Sequence, residues 1–302
     1  MYDQVAQNKR RSAAIVIAFV LFTTLVIAVI LWLLDFGFVG IAIAATVAIA
    51  SAWGAYWKSD VIALKMSRAV PADEHTYARL HNLVEGLCIA SGLPKPRIYI
   101  IEDPAPNAFA TGRNPKHAAI AVTTGLLDMM TRVELEGVLA HELSHIKNDD
   151  ILVSTLAVTM VGIVTLAADL SVRMMWWNGG RRSRDGDRDG GAAPFLAIFG
   201  IAILVLSPLL ARLMQLAVSR SRESLADVSA IEMTRYPPGL ISALEKLRDD
   251  TTVVHASSRA TAHLWIEAPV ARDESEGRMS KWNRLFDTHP PLDERIAALQ
   301  EL

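Results

Sequence analysis

Four uncharged apolar runs divide the chain, and patterning of the soluble type fills the stretches between them. Ala13 to Leu34 is the first; as a helix it would be about 33 Å long, which matches a hydrocarbon thickness of about 30 Å. Phe36 to Trp57 is the second, with only Asp35 between them, so the two predict a tight transmembrane hairpin over residues 1–57. Lys9, Arg10 and Arg11 before the first run give it the look of a signal peptide, but it is too long for a signal h-region. Ile151 to Ala168 and Pro194 to Ala211 are shorter. They predict a second hairpin over 151–218, crossing the bilayer or lying partly buried in it, with a Gly-, Arg- and Asp-rich mobile loop at 178–193. At the end of the third run, Asp169 and Arg173 stand one helical turn apart and read as an ion pair or as snorkelling side chains at the interface, rather than as a functional intramembrane charge.

Between the hairpins the period changes. A helix is expected near 73–91, ended by Gly92-Leu93-Pro94, then a strand at Arg97 to Ile101, a turn-rich stretch from Asn107 to Pro115, and a second strand at Ala118 to Thr123. A further helix is expected at Arg220 to Thr234, closed by Tyr236-Pro237-Pro238-Gly239, then a poorly patterned charged segment from about 248 to 281, then a last helix after His289-Pro290-Pro291. Residues 58–150 and 219–302 therefore form one α+β domain, mainly helical with a small sheet, mounted on an α-helical membrane protein. Positive residues flank the first hairpin at Lys9 to Arg11 and at Lys58, Lys65 and Arg68, with none in its turn, which puts this domain on the cytoplasmic side of a multi-pass inner (plasma) membrane protein.

Composition agrees with a membrane location. Of 302 residues 52% are apolar, and the mean hydropathy is +0.28, above what a soluble domain carries. A net charge of −2 with no basic stripe excludes nucleic acid as a partner. The one cysteine, Cys88, cannot form an internal disulfide and reads as a buried thiol in a reducing compartment.

Candidate chemistry sits on one predicted helix. Thr131 with Glu134 forms a capping box ahead of Val138-Leu139-Ala140-His141-Glu142-Leu143-Ser144-His145, an HExxH sequence. Residues four apart lie about 40° apart around a helix, so His141 and His145 share a face at the spacing one metal ion needs. Glu142 is turned about 100° away, too far to be a third ligand but placed to reach a water on the metal. Two imidazoles suit zinc, and the adjacent carboxylate suits a general base. The plainer alternative is two ordinary helix histidines beside a solvated Glu. Catalytic zinc takes three protein ligands, and Glu223 is the candidate for the third, with Asp227 one turn on to accept from a ligand imidazole. Only a few residues separate His145 from the third run and Glu223 from the fourth, so an antiparallel hairpin would deliver both to one membrane surface.

Four ordered motifs, Asn107 to Gly112, the HELSH motif with Asn148 to Asp150, Arg222-Glu223 to Asp227, and Thr288 to Leu292 with Arg295-Ile296, resemble the HtpX-type membrane zinc metallopeptidases, which are related to the CAAX prenyl proteases. The resemblance implies one zinc per chain on His141, His145 and Glu223, with Glu142 as catalytic base. It also implies a substrate-pairing edge at 107–112, roles for Asn107 and His289 near substrate or oxyanion, and a part in stress response and protein quality control. Ser224 departs from the aromatic residue common in that family. The expectation is a zinc-dependent endopeptidase acting on membrane or membrane-associated proteins. The alternatives are a CAAX-type prenyl-protein endoprotease and a non-catalytic, metal-stabilised scaffold or holdase. Oligomeric state is left open.

Overall fold

A computed structural model of the chain describes residues 37–156, 220–252, 264–266 and 291–301, with isolated helical positions between 10 and 28. The body of the first apolar run, the loop 178–193, the fourth run, most of the third and His289 lie outside the described residues.

The second run is the front of helix α1, Gly37–Met66. Its first eighteen residues, Gly37–Gly54, are the one stretch among the described residues long and apolar enough to cross a membrane. Ala44, Ala48 and Ala52 recur every four residues on a buried stripe, while Phe38, Val39, Ile43, Val47 and Trp53 are exposed. The helix does not stop where the apolar run stops. No Gly or Pro follows Gly54 until the chain turns at Arg68, whose φ of 53° lies in the left-handed region, and Lys65 in the last turn suits the negative end of the helix dipole. Asp60 near its end takes an ion pair from Arg97.

The sheet has four strands: β1 (Val70–Pro71), β2 (Arg97–Ile101), β3 (Ala108–Gly112) and β4 (Ala118–Thr123), in the order β1-β2-β4-β3. β2 and β4 are parallel and the other pairs antiparallel. Both strands expected from the sequence form where expected, but part of the stretch read as turn-rich is a strand. The reason is that its turn chemistry sits at one end: Asn114 accepts from the His117 N–H (3.1 Å) around Pro115. Gly112, at φ 143°, lies where an added Cβ would stand 2.5 Å from the His117 carbonyl oxygen. Asn107 to Thr111 carries no such constraint and pairs with β4, which makes β3 an edge strand.

Helix α2 covers Ala78–Ser91, shorter at its start than expected. The Asp73 carboxylate takes both the Thr76 N–H (2.8 Å) and hydroxyl (2.7 Å), forming a local turn where the first helical turn would have been. After the short helix α3 (Thr124–Met129) comes α4, Arg132–Lys147, opened by the expected capping box, with Thr131 N–H on Glu134 at 2.8 Å. α4 is buried on nearly all sides. It packs against β3, α2, α5 (Arg220–Thr234) and α6 (Pro237–Asp249), while α7 (Leu292–Gln300) closes on α5 and α6. The main core, including Val84, Ile120, Leu139, Leu143 and Leu244, lies between sheet and helices. A smaller core on the other sheet face gathers Ala63 and Leu64 of α1, Phe109, Ala121, Leu264 and Trp265.

Candidate active site

Helix α4 presents His141 and His145 from one face, and α5 brings Glu223 against them. The two Nε2 atoms are 3.1 Å apart, Glu223 Oε2 is 3.6 Å from His141 Nε2, and Glu223 Oε1 is 3.7 Å from His145 Nε2. Tetrahedral zinc with bonds of about 2.0–2.1 Å sets neighbouring ligand atoms about 3.3–3.4 Å apart. The triangle has the right size.

The donor chemistry is more telling than the spacing. His141 Nδ1 is 2.8 Å from Asp227 Oδ1 and His145 Nδ1 is 3.1 Å from Asp150 Oδ2. A carboxylate has no proton to give at neutral pH, so Nδ1 is the donor in both pairs and each Nε2 faces inward, where it holds either a proton or a metal ion. Two Nε2 atoms and a carboxylate then face one point, which calls for a proton or a metal cation between them. Electrostatics agree. Burial pushes both imidazoles down, but Asp150 and Glu223 outweigh it and hold His145 up at about 10. Against burial and the neighbouring Arg295, Asp227 and Glu223 hold His141 above the ordinary value. The site attracts positive charge, and these residues fit a zinc ion.

Glu142 is buried beside the cluster, near enough for its charge to help raise His145. Asn107 sits at the head of β3, where its N–H donates to Thr123 Oγ1 (2.8 Å) and its side-chain oxygen accepts from the Ala108 N–H (3.1 Å).

Two residues at the site had only been part of quoted motifs. Asp150 reaches His145 through the end of α4. Asp149 N–H donates to the Ile146 carbonyl and Asp150 N–H to the His145 carbonyl, both at 3.3 Å, around Asp149 at φ 54°. This is a Schellman turn with Asp in the place that usually takes Gly. Arg295 of α7 donates from Nη2 and Nε to the two oxygens of Asp227 at 2.6 and 2.9 Å. Although burial pushes the Asp227 carboxyl up, Arg295 and His141 overcome it and hold it near 2. The Arg295 Nη2 also stands 3.3 and 3.4 Å from the two nitrogens of His141.

Comparison with known proteins agrees with this site. Residues 74–302 match peptidase family M48. The chain is 42% identical over 302 residues to a protease HtpX homolog of Thermoanaerobacter pseudethanolicus, covering all of this chain and 98% of that one. The chain belongs to the HtpX group of peptidase family M48. A protease HtpX homolog of Lactobacillus helveticus is 42% identical over 305 residues, covering both chains in full. Among solved structures, S. mikatae Ste24p matches 99% of this chain and 67% of its own length with a TM-score of 0.50 and 21% identity, a likeness of fold. As an M48 peptidase of the HtpX group, the chain is a zinc metalloprotease whose metal site is the His-His-Glu cluster.

Proposed function

We propose that this M48 peptidase is a multi-pass inner-membrane endopeptidase that cuts membrane or membrane-associated proteins on the cytoplasmic side, in protein quality control. The division into a hairpin at 1–57, a second hairpin at 151–218 and a protease domain of 58–150 with 219–302 belongs to the same reading. The observation that carries the catalytic part is the convergence of the two inward Nε2 atoms and Glu223 beside a buried carboxylate, Glu142. Bound zinc supplies a Lewis acid for the scissile carbonyl and lowers the pKa of a water to about 7. Glu142 takes the proton of the attacking water and hands it to the leaving amine. Asp227 and Asp150 hold the imidazoles in the ligating tautomer, and Arg295 holds Asp227. An extended substrate pairs through its backbone with β3, which gives broad sequence preference. His289 and Asn107 are assigned to the substrate side, where either helps to hold the oxyanion.

The test is casein proteolysis by the full chain in detergent. Wild type should cut, and a chelator should stop it. Glu142→Gln should purify with about one zinc per chain and lose on the order of a hundred- to ten-thousand-fold in rate. Wild-type activity in Glu142→Gln would refute the assignment, and a wild type that cuts nothing while Glu142→Gln keeps cellular function would favour a holdase. The second reading, CAAX-type cleavage, would be established by efficient cutting of a prenylated peptide in preference to casein.

A further inference from the structure

We infer that Leu264, Trp265 and Ile266 occupy the edge of β3 on which extended substrate pairs, and that substrate binding displaces them. The inference rests on the protease reading above. The Thr123 N–H at the end of β4 donates to the Asn107 carbonyl at 3.0 Å, and β3 and β4 are antiparallel, so by strand alternation the N–H and C=O groups of Ala108, Ala110 and Gly112 point to the open side of the sheet. That edge is where a peptide would add as a further strand beside α4, the helix of the HExxH motif.

Chain segments already sit there. The Ile266 N–H donates to the Ala108 carbonyl at 3.1 Å. Trp265 packs edge to face on Phe109, centroids 4.9 Å apart, on one sheet face. Ile266 packs into the main core on the other face. Trp265 and Ile266, on opposite faces of the sheet with a backbone bond to its edge, sit as two residues of an added strand do. At the other end, the Gly112 N–H donates to Thr155 Oγ1 (3.1 Å). Among the described residues, only Ala110 keeps both outward groups without an occupant. A substrate held by Ala110 alone would gain one pair of backbone bonds, too few to fix it in register. In the sequence the triplet is an apolar island in the poorly patterned stretch after Arg248, as a short strand mimic would be.

Two variants of the full chain, assayed on casein in detergent with zinc, test this. Ile266→Pro removes the N–H that caps Ala108. It should lower KM by about three- to tenfold with kcat nearly unchanged, because the apparent affinity is the intrinsic affinity reduced by the fraction of uncapped enzyme. Ala108→Cys with Ile266→Cys places two thiols within reach of a disulfide across that same backbone bond. Oxidation, verified by mass, should abolish casein cleavage at least tenfold, and a phosphine reductant should restore it. The inference is overturned if Ile266→Pro lowers kcat without lowering KM, as a structural segment would, or if the oxidised pair cuts within twofold of its reduced form. Ile266→Pro decides alone if the disulfide does not form. Absence of proteolysis in the wild type would instead remove the protease reading, and this inference with it.

Discussion

Which nitrogen each imidazole turns toward the metal is decided by Asp227 and Asp150, not by the histidines themselves. His141 and His145 would otherwise be free to keep the proton on Nε2 and offer no lone pair. Removing the orienting carboxylate should therefore weaken metal binding without abolishing it, by about 10–100-fold for Asp150→Asn or Asp227→Asn. Zinc titration against a competing chelator measures this, and excess zinc should recover much of the lost proteolysis. The Asp227 change is expected to be the larger, because it also strands the buried Arg295 guanidinium, which has Asp227 as its bidentate partner. An affinity unchanged in both variants would show that the tautomers are fixed some other way. The pairs also mark where sequence reasoning stops at this scale. The i, i+4 spacing of His141 and His145 is local and fully legible. Asp150 needs a left-handed residue at Asp149 to fold back, and Arg295 arrives from a helix far along the chain, so neither contact is encoded in local spacing.

At the scale of elements, α4 is where local and distant requirements meet. Its capping box was legible as Thr131 with Glu134, yet the Glu134 carboxylate also accepts from Lys246 Nζ and the Ser242 hydroxyl of α6, both at 2.7 Å. Burial pushes the Glu134 carboxyl up, but these donors prevail and hold it at about 2. A carboxyl depressed below its ordinary value of about 4.5 contributes stability that is fully present above that value and is lost as pH falls toward 2. Glu134→Gln keeps the capping geometry but not the charge. It should cost about 1 kcal/mol near pH 7, a modest figure because Lys246 is partly exposed. The gap in melting temperature from wild type should shrink between pH 4.5 and 2; a gap that stays constant would deny the charge its role. Gly137 of the same helix reads from sequence as a mere propensity penalty of about 1 kcal/mol. The structure gives its reason: an added Cβ would stand 2.8 Å from the Leu240 backbone nitrogen. Gly137→Ala should therefore destabilise by about 1–3 kcal/mol despite the better helix former, since α6 has to move off. A melting temperature above wild type would contradict that close approach. The stretch at 107–112, turn-rich by composition and an edge only through the family resemblance, belongs here too. Its small and polar residues have turn composition, but the register with β4 is a tertiary fact that composition does not carry.

For the whole molecule, the proposed topology makes α1 a ruler between the two environments. At about 1.5 Å per residue its 30 residues reach about 45 Å, longer than the roughly 30 Å of hydrocarbon. Trp53, Tyr56 and Trp57 cluster where the apolar window ends, as aromatic residues do at a membrane interface. Arg113 of the turn after β3 lies 4.6 Å over the Trp57 ring. Beyond that level Asp60 pairs with Arg97 and Ala63 and Leu64 pack on the sheet, so the protease domain is joined to the helix by a core rather than by a linker. The proposed topology follows from this join and from the positive charges at Lys58, Lys65 and Arg68. Single cysteines at the exposed positions Lys116 and Arg235 should then react with an impermeant maleimide only after the membrane is opened. Cysteines at Asp35 and Gly186 should react from outside in intact cells. Cys88 need not be removed, because burial pushes its thiol up to about 11 and leaves little thiolate at neutral pH. Labelling of Lys116→Cys from outside would invert the orientation. Labelling of Gly186→Cys only in opened cells would keep the protease domain in place but lay the second hairpin on or within the cytoplasmic face, with the loop on the same side as the active site.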